Sequence, residues 1–345
     1  LLPNKVKKGR TMHFYVHIFE NTLKRLKPTF STGPDILCAY FIKKLYRSLC
    51  TPLSSIFEVS YRTSELPILW KQAVVVPVYK KKNPFRVENY RPISLCCVPC
   101  KVMETIINGT LTDHLTSEKL LSDKQFGFSK GKSCNTQLLY CKDKWMRLLN
   151  NKIPVDVAYI HFAKAFDSVV HSKLLLKLRS FGIDQLLFNW LKSFLENRTQ
   201  VVKINSSFSE ALYVRSGVPQ GSVLGPTLFN MYINDIVSCI EHCEILLFAD
   251  DIKLFHTDPK LLEKDLKNIH EWSLKWQINI SFEKCSILHL GRNNKNTVYL
   301  LDGNPIKSDT TIKDLGILMS ENMSSSEHYM YLFKKCSQIS SLICK

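Results

Sequence analysis

The chain has 345 residues, enough for one large or two to three modest domains with a sizeable core. Its 47 Lys and Arg against 30 Asp and Glu give a formal net charge of +17, which points to a polyanionic partner, most simply nucleic acid. No apolar run approaches the roughly 20 residues of a spanning helix and no signal-peptide pattern opens the chain, so a membrane partner is set aside and a soluble, intracellular protein is expected.

The chain opens at Leu1, and Lys5, Lys7, Lys8 and Arg10 precede any periodicity, which reads as a piece of a longer frame. Ser31-Thr32-Gly33-Pro34-Asp35 is a turn and helix-start signal that predicts a helix over 36–47, with a second over 52–61. Residues 70–79 carry the β-branched run Val74-Val75-Val76, and Pro77 confines that strand to an edge or a bulge. Lys80-Lys81-Lys82 follows, a charge run that is either a solvated face or a phosphate contact. A helix is predicted over 101–115, then a glycine-punctuated basic loop, Gln125-Phe126-Gly127-Phe128-Ser129-Lys130-Gly131-Lys132-Ser133, whose glycine interval does not match a P-loop.

A strand over 155–162 comes next, and Asp167-Ser168 is expected to cap a helix running through Ser180. The alternating segments 200–204 and 212–214 read as a hairpin turned by Asn205-Ser206-Ser207. Leu262, Leu266, Ile269, Trp272 and Trp276 recur at helical spacing, so both tryptophans read as helix-face core, ahead of a strand over 286–290. Helices alternating irregularly with short strands indicate an α+β protein, an antiparallel sheet covered by helices on one side.

Twelve cysteines raise the question of zinc or disulfides. Cys96, Cys97 and Cys100 cluster and Cys239 and Cys243 flank His242, but neither group has a partner pair at finger-like spacing, so they are expected as reduced thiols. The most informative feature is Asp250-Asp251 at the join of the apolar runs 245–249 and 252–255. Two carboxylates on the turn of a hairpin repel each other and resist desolvation unless a cation neutralises them, and a pair of Mg²⁺ ions is the obvious candidate. An isolated Asp-Asp could also be turn chemistry alone.

Four ordered motifs decide between these readings. Asn89-Tyr90-Arg91-Pro92-Ile93-Ser94-Leu95, Phe162-Ala163-Lys164-Ala165-Phe166-Asp167, Ser216-Gly217-Val218-Pro219-Gln220-Gly221 and Phe248-Ala249-Asp250-Asp251 closely resemble the successive motifs of reverse transcriptases of non-LTR retrotransposons, the jockey and chicken-repeat group. The resemblance implies a right-hand polymerase fold: an N-terminal helical extension over 1–66, fingers over 67–152, a palm over 153–319 and the start of a thumb from 320. It also leads to the expectation that this stretch holds neither the group's endonuclease nor a complete thumb.

The activity it implies is RNA-directed DNA polymerisation, with RNA template, DNA primer and deoxynucleoside triphosphates as partners. Two metal ions, Mg²⁺ with Mn²⁺ as a substitute, would be held by hard oxygen ligands. Asp250 and Asp251 match the paired metal-binding aspartates, and the backbone carbonyl of Phe162 is a further metal contact. The position before Phe162, an Asp in the family, is His161 here. A neutral imidazole offers one lone pair and cannot bridge two ions as a carboxylate does, so this copy is expected to be severely impaired, leaving a non-catalytic nucleic-acid-binding remnant as the alternative.

Other roles follow from the resemblance residue by residue. Arg91 would hold the triphosphate, Phe166 would exclude a 2′-hydroxyl, Gln220 and Gly221 would approach the nascent base pair, and Lys284 would protonate the leaving pyrophosphate. Ser129 stands where the family usually has Arg, and the segments Asp302-Gly303 and 313–317 resemble the hairpin that grips the primer end.

Overall fold

The computed structural model describes residues 14–80 and 83–343. The early cationic cluster Lys5, Lys7, Lys8 and Arg10, together with Lys81 and Lys82, lies outside the described residues. The elements are α1 (Val16–Lys24), α2 (Ala39–Lys44), α3 (Tyr46–Thr63), β1 (Gln72–Tyr79), β2 (Tyr90–Leu95), α4 (Val98–Ser117), α5 (Cys134–Asn150), β3 (Val155–His161), α6 (His171–Ser180), α7 (Gln185–Leu195), β4 (Arg198–Ile204), β5 (Ser207–Phe208), β6 (Leu212–Val214) and α8 (Gly225–Ile233). They continue with β7 (Glu244–Phe248), β8 (Asp251–His256), α9 (Pro259–Trp276), β9 (Ser286–Leu290), β10 (Leu300–Leu301), β11 (Asn304–Pro305), β12 (Lys307–Ser308), β13 (Thr311–Asp314), β14 (Ile317–Ser320) and α10 (Ser326–Ile343). The fold class is α+β, and no described helix is long and apolar enough to cross a membrane.

Two compact units divide the chain. One runs to Leu121 and resumes over Lys164–Ile233; the other comprises Ser122–Ala163 and the chain from Asn234. In the first unit, β1 pairs antiparallel with β2 and parallel with β4, and β4 carries the return strands β5 and β6. Pro77 faces Pro92 across β1 and β2, beyond the last β1 residue paired to β4, Val75. The strand is therefore not the edge expected of it, since β1 lies between β2 and β4; Pro77 is tolerated because it falls beyond the stretch of β1 paired to β4, where its missing donor costs no ladder bond. Helix α3 begins at Tyr46 and carries Pro52 within it, so the expected break at 52 is absent, and α2 is shorter than the expected 36–47.

In the second unit, the sheet order is β12-β9-β3-β8-β7. The four strands β9, β3, β8 and β7 pair antiparallel and β12 joins β9 parallel, so both main sheets are mixed rather than purely antiparallel. Every residue of β3 except His161 is buried. One side-chain set, Val155, Val157 and Tyr159, packs with Leu246, Phe255, Leu288 and Leu290 against Cys141 and Trp145 of α5. The alternate set, Ala158 and Ile160, is equally buried, and α9 packs on β8. Helices therefore cover both faces, not one, because the strands are apolar at consecutive positions rather than at alternate ones.

Helix α9 buries Leu262, Leu266, Ile269 and Trp272 as its spacing predicts, whereas Trp276 is only half-buried. Its N-terminus is capped by the Asp258 side chain, which accepts from the Lys260 N–H. All described cysteines are free thiols, with Cys96, Cys97 and Cys100 buried.

Candidate active site

The carboxylate pair sits where its sequence places it. Phe248 ends β7, Ala249 and Asp250 form the turn, and Asp251 opens β8. The turn is tight because Ala249 adopts φ +55°, a left-handed conformation that a non-glycine residue holds only when its surroundings impose it. Those surroundings are the Gln125–Gly127 loop. The buried Gln125 Oε1 accepts the N–H groups of both Gly127 (2.8 Å) and Ala249 (2.9 Å). Gly127 lies so close that a Cβ there would collide with the Ala249 nitrogen. The basic loop is thus first a buttress of the carboxylate turn, and Ser129 turns inward to donate to the Gly127 carbonyl (3.3 Å).

Strand register brings the third position to the pair. β3 runs antiparallel to β8 with His161 opposite Asp251, and His161 Nδ1 lies 2.8 Å from Asp251 Oδ1. An ionised carboxylate can only accept, so Nδ1 carries the proton and the ring donates to Asp251. The carbonyl of His161 accepts from Ser281 N and the Ala163 N–H donates to Asn279 O, so by strand alternation the Phe162 carbonyl points to the opposite side, that of β8. Burial and then the adjacent Asp251 charge push the Asp250 carboxyl above its ordinary value; its own backbone, His161 and Lys284 pull it down. The exposed Lys284 therefore acts electrostatically on Asp250, as a member of the same group of residues.

These donors do not fit two Mg²⁺ ions. Hard cations need oxygen ligands, whereas the side chain set against Asp251 is an imidazole that already occupies its carboxylate. Among the described residues, no group of three His, Cys, Asp or Glu side chains is arranged to hold a metal ion.

The remaining candidates lie in the first unit. Arg91 is exposed on β2 and has no ion-pair partner among the described residues. Three residues along the same strand, the Ser94 N–H donates to the Gln220 carbonyl (3.2 Å). Gly221 has φ +102°, and a Cβ on it would stand 2.6 Å from the Ser94 carbonyl, so only glycine fits there. The Gln220 amide donates to Asp167 Oδ1 at 2.7 Å. Phe166 stacks on Phe229 with ring centroids 4.3 Å apart.

Asp167 is consequently not the helix cap its position suggested. Helix α6 starts at His171 behind an extended Val170 with no side-chain cap, while Asp167 belongs to the preceding turn, where its N–H donates to the Lys164 carbonyl and its carboxylate accepts from Gln220. Beneath this loop, the wholly buried Glu104 accepts the N–H groups of Val223 (2.7 Å) and Leu224 (3.1 Å), just ahead of α8. Burial raises the Glu104 carboxyl above its ordinary value, and these N–H groups together with Arg198 and Cys100 offset part of that rise.

Sequence reasoning missed Gln125, Gln137, Lys253 and Asp314 as supports of the carboxylate hairpin, and Glu104 as the support of the Val223–Leu224 backbone ahead of α8. One signal was available: Lys253 interrupts the apolar run of β8, where a solvated lysine has no place.

The whole chain from β1 to β14 bears on identity. Residues 79–319 match the reverse transcriptase (RNA-dependent DNA polymerase) family. The chain belongs to that family. Among reverse transcriptases, it is 27% identical to the probable RNA-directed DNA polymerase from transposon BS of Drosophila melanogaster, over 92% of this chain and 37% of that protein. It is 29% identical to the RNA-directed DNA polymerase from mobile element jockey of Drosophila melanogaster, over 90% of this chain and 35% of that protein. It is 26% identical to the Pol polyprotein from type-1 retrotransposable element R1 of Bradysia coprophila, over 90% and 32%. The chain spans about a third of the length of the curated relatives it matches.

Proposed function

We propose that this chain is the polymerase segment of a non-LTR retrotransposon protein, an RNA-directed DNA polymerase by descent whose catalytic centre is impaired at His161. The observation that carries the reading is the register of β3 and β8, which sets His161 against Asp251 at the turn that holds Asp250. In this reading the sheet β12-β9-β3-β8-β7 is the palm, β1 and β2 belong to the fingers, β13 and β14 grip the primer end, and α10 begins the thumb. RNA template, DNA primer and deoxynucleoside triphosphates are the partners, and the protein acts inside the cell, in nucleus or cytoplasm.

The reaction is attack of a primer 3′-hydroxyl on an α-phosphate with pyrophosphate leaving, for which reverse transcriptases generally use divalent metals, Mg²⁺ or Mn²⁺. The donor set around Asp250 and Asp251 does not fit such metals. The chain's own residues supply the rest. Arg91 presents a free guanidinium fork to triphosphate oxygens. Phe166, held rigid by Phe229, is the barrier to a 2′-hydroxyl, and Gln220 and Gly221 bring backbone close to the base pair. Lys284 supplies a proton to pyrophosphate.

A second reading, a nucleic-acid-binding remnant without catalysis, is favoured by the +17 charge together with the imidazole that occupies Asp251. Primed deoxynucleotide incorporation on an RNA template, beside RNA binding over a salt series, separates the two. Binding that falls steeply with salt and no incorporation supports the remnant; incorporation in Mg²⁺ by the unchanged chain refutes the impairment; no binding at all refutes both.

A further inference from the structure

Gln125, Gln137, Tyr159, Lys253 and Asp314 are polar side chains at most 4% exposed, gathered around the carboxylate hairpin in an otherwise apolar core. Lys253 lies at the centre of four of them. Its Nζ donates to Gln137 Oε1 (2.9 Å) and to Asp314 Oδ2 (2.8 Å). Tyr159 OH donates to the same Asp314 oxygen (3.2 Å), and Gln137 Nε2 donates to the Leu247 carbonyl on β7 (2.9 Å). One ammonium therefore joins β8, α5 and β13, and through Gln137 it reaches back to β7.

Lys253 follows Asp251 by two residues and so shares its face of the strand. Asp314 closes β13 immediately before the tight Leu315-Gly316 turn into β14, where both residues have positive φ. Apolar side chains would allow these hairpins small relative shifts at little cost. A buried ion pair with fixed donors satisfies its atoms in one arrangement only, because a displaced charge is left without a partner.

We propose that Lys253 is a positioning residue, whose buried pair with Asp314 locks the hairpin bearing Asp250 and Asp251 to the β13–β14 hairpin at one fixed spacing. Only the turnover part of its test rests on the polymerase reading.

Replacing either partner alone by an apolar residue would strand a buried charge without any hydrogen-bond partner in its place, so the first variant is Lys253→Met with Asp314→Leu, an apolar pair of similar bulk. Asp314→Asn, which keeps acceptors for Lys253 and Tyr159, serves as the second variant. Both are compared with the parent by thermal unfolding and by amide exchange over residues 244–256 and 311–320. The same changes are also made in a His161→Asp background, where primer–template affinity and single-turnover rate are measured.

The expected result is a lower melting temperature in both variants, since the double variant leaves Tyr159 OH and Gln137 Oε1 without partners and Asp314→Asn leaves Lys253 without its counter-charge; beyond the uniform change this brings, amide exchange in both hairpins should be about tenfold faster for the double variant and about threefold faster for Asp314→Asn. In the His161→Asp background, the rate should fall about 30-fold with affinity unchanged. Exchange and rate both equal to the parent in a folded double variant would overturn the proposal; should the double variant not fold, parental exchange in Asp314→Asn would do so. A His161→Asp parent that incorporates nothing would count against the polymerase reading, and the exchange comparison would still decide the coupling.

Discussion

Replacing His161 by Asp exchanges an imidazole that donates to Asp251 for a third carboxylate at the register partner of Asp251. The lost contact is a charge-assisted bond, but its side chains are 35% and 41% exposed, so its loss costs only about 0.5–1 kcal/mol. The added repulsion is larger. Two carboxylates roughly 4–5 Å apart repel by about 3–4 kcal/mol at an effective dielectric of 20, and solvent at this exposure cuts that to about 1–2 kcal/mol. The metal-free variant should therefore be about 1.5–3 kcal/mol less stable than the parent. With three carboxylates in place, Mg²⁺ at about 100 times its dissociation constant should restore about 2.7 kcal/mol. Thermal unfolding with and without Mg²⁺ tests this directly: the melting temperature of His161→Asp should rise by several degrees with Mg²⁺ while that of the parent stays still. Primed incorporation should appear in the variant alone. If both proteins gain equally from Mg²⁺ and incorporate at the same rate, His161 does not occupy the missing ligand position.

Any residual synthesis by the unchanged chain should be greater in Mn²⁺ than in Mg²⁺, since Mn²⁺ accepts nitrogen more readily; equal or lower incorporation in Mn²⁺ would separate His161 from the metal site. Gly127→Ala should destabilise by at least 2–3 kcal/mol, roughly the cost of overpacking against backbone, read as a drop in denaturant midpoint. Gln125→Leu strands the buried N–H groups of Gly127 and Ala249 and should cost about 2–5 kcal/mol. At Asp265, burial opposes ionisation, but the N–H groups of Cys243, Glu241 and His242 outweigh it and hold the carboxyl below its ordinary value. A depressed carboxyl stabilises the fold above its unfolded pKa and loses that contribution as pH falls through the folded one. Asp265→Asn should accordingly be destabilising at pH 7, and the gap to the parent should narrow progressively below about pH 4 in urea titrations.

The carboxylate hairpin, β9 and the buried face of α9 were legible because local period and turn chemistry specify them: an Asp-Asp pair between two apolar runs leaves few alternatives. The Asp167 cap was misread because its competing partner, Gln220, lies 53 residues away, and nothing local to Asp167 reveals it. The same distance problem hid the buttress, since Gln125 meets Ala249 and Gln137 meets Lys253 across separations of 124 and 116 residues. The parallel pairing of β1 with β4 is another long-range choice, and the second helical cover on the β3 sheet could not be told from a one-sided one until the packing was seen. The place of His161 beside the carboxylate turn, by contrast, was legible from sequence, because the motif spacing sets that position near the paired aspartates.

Pro77 and Pro92 face each other across the β1–β2 ladder, and neither has a hydrogen to exchange. They must therefore form a non-hydrogen-bonded pair, with both missing donors directed outward, one toward β4 beyond the stretch paired to β1 and the other along the outer side of β2, where the Ser94 N–H meets the Gln220 carbonyl. An incoming extended segment would find an acceptor without a matching donor on either flank. At the level of these two prolines the sheet offers an added strand no donor on either flank, which disfavours edge-to-edge pairing of a segment rich in β-branched residues.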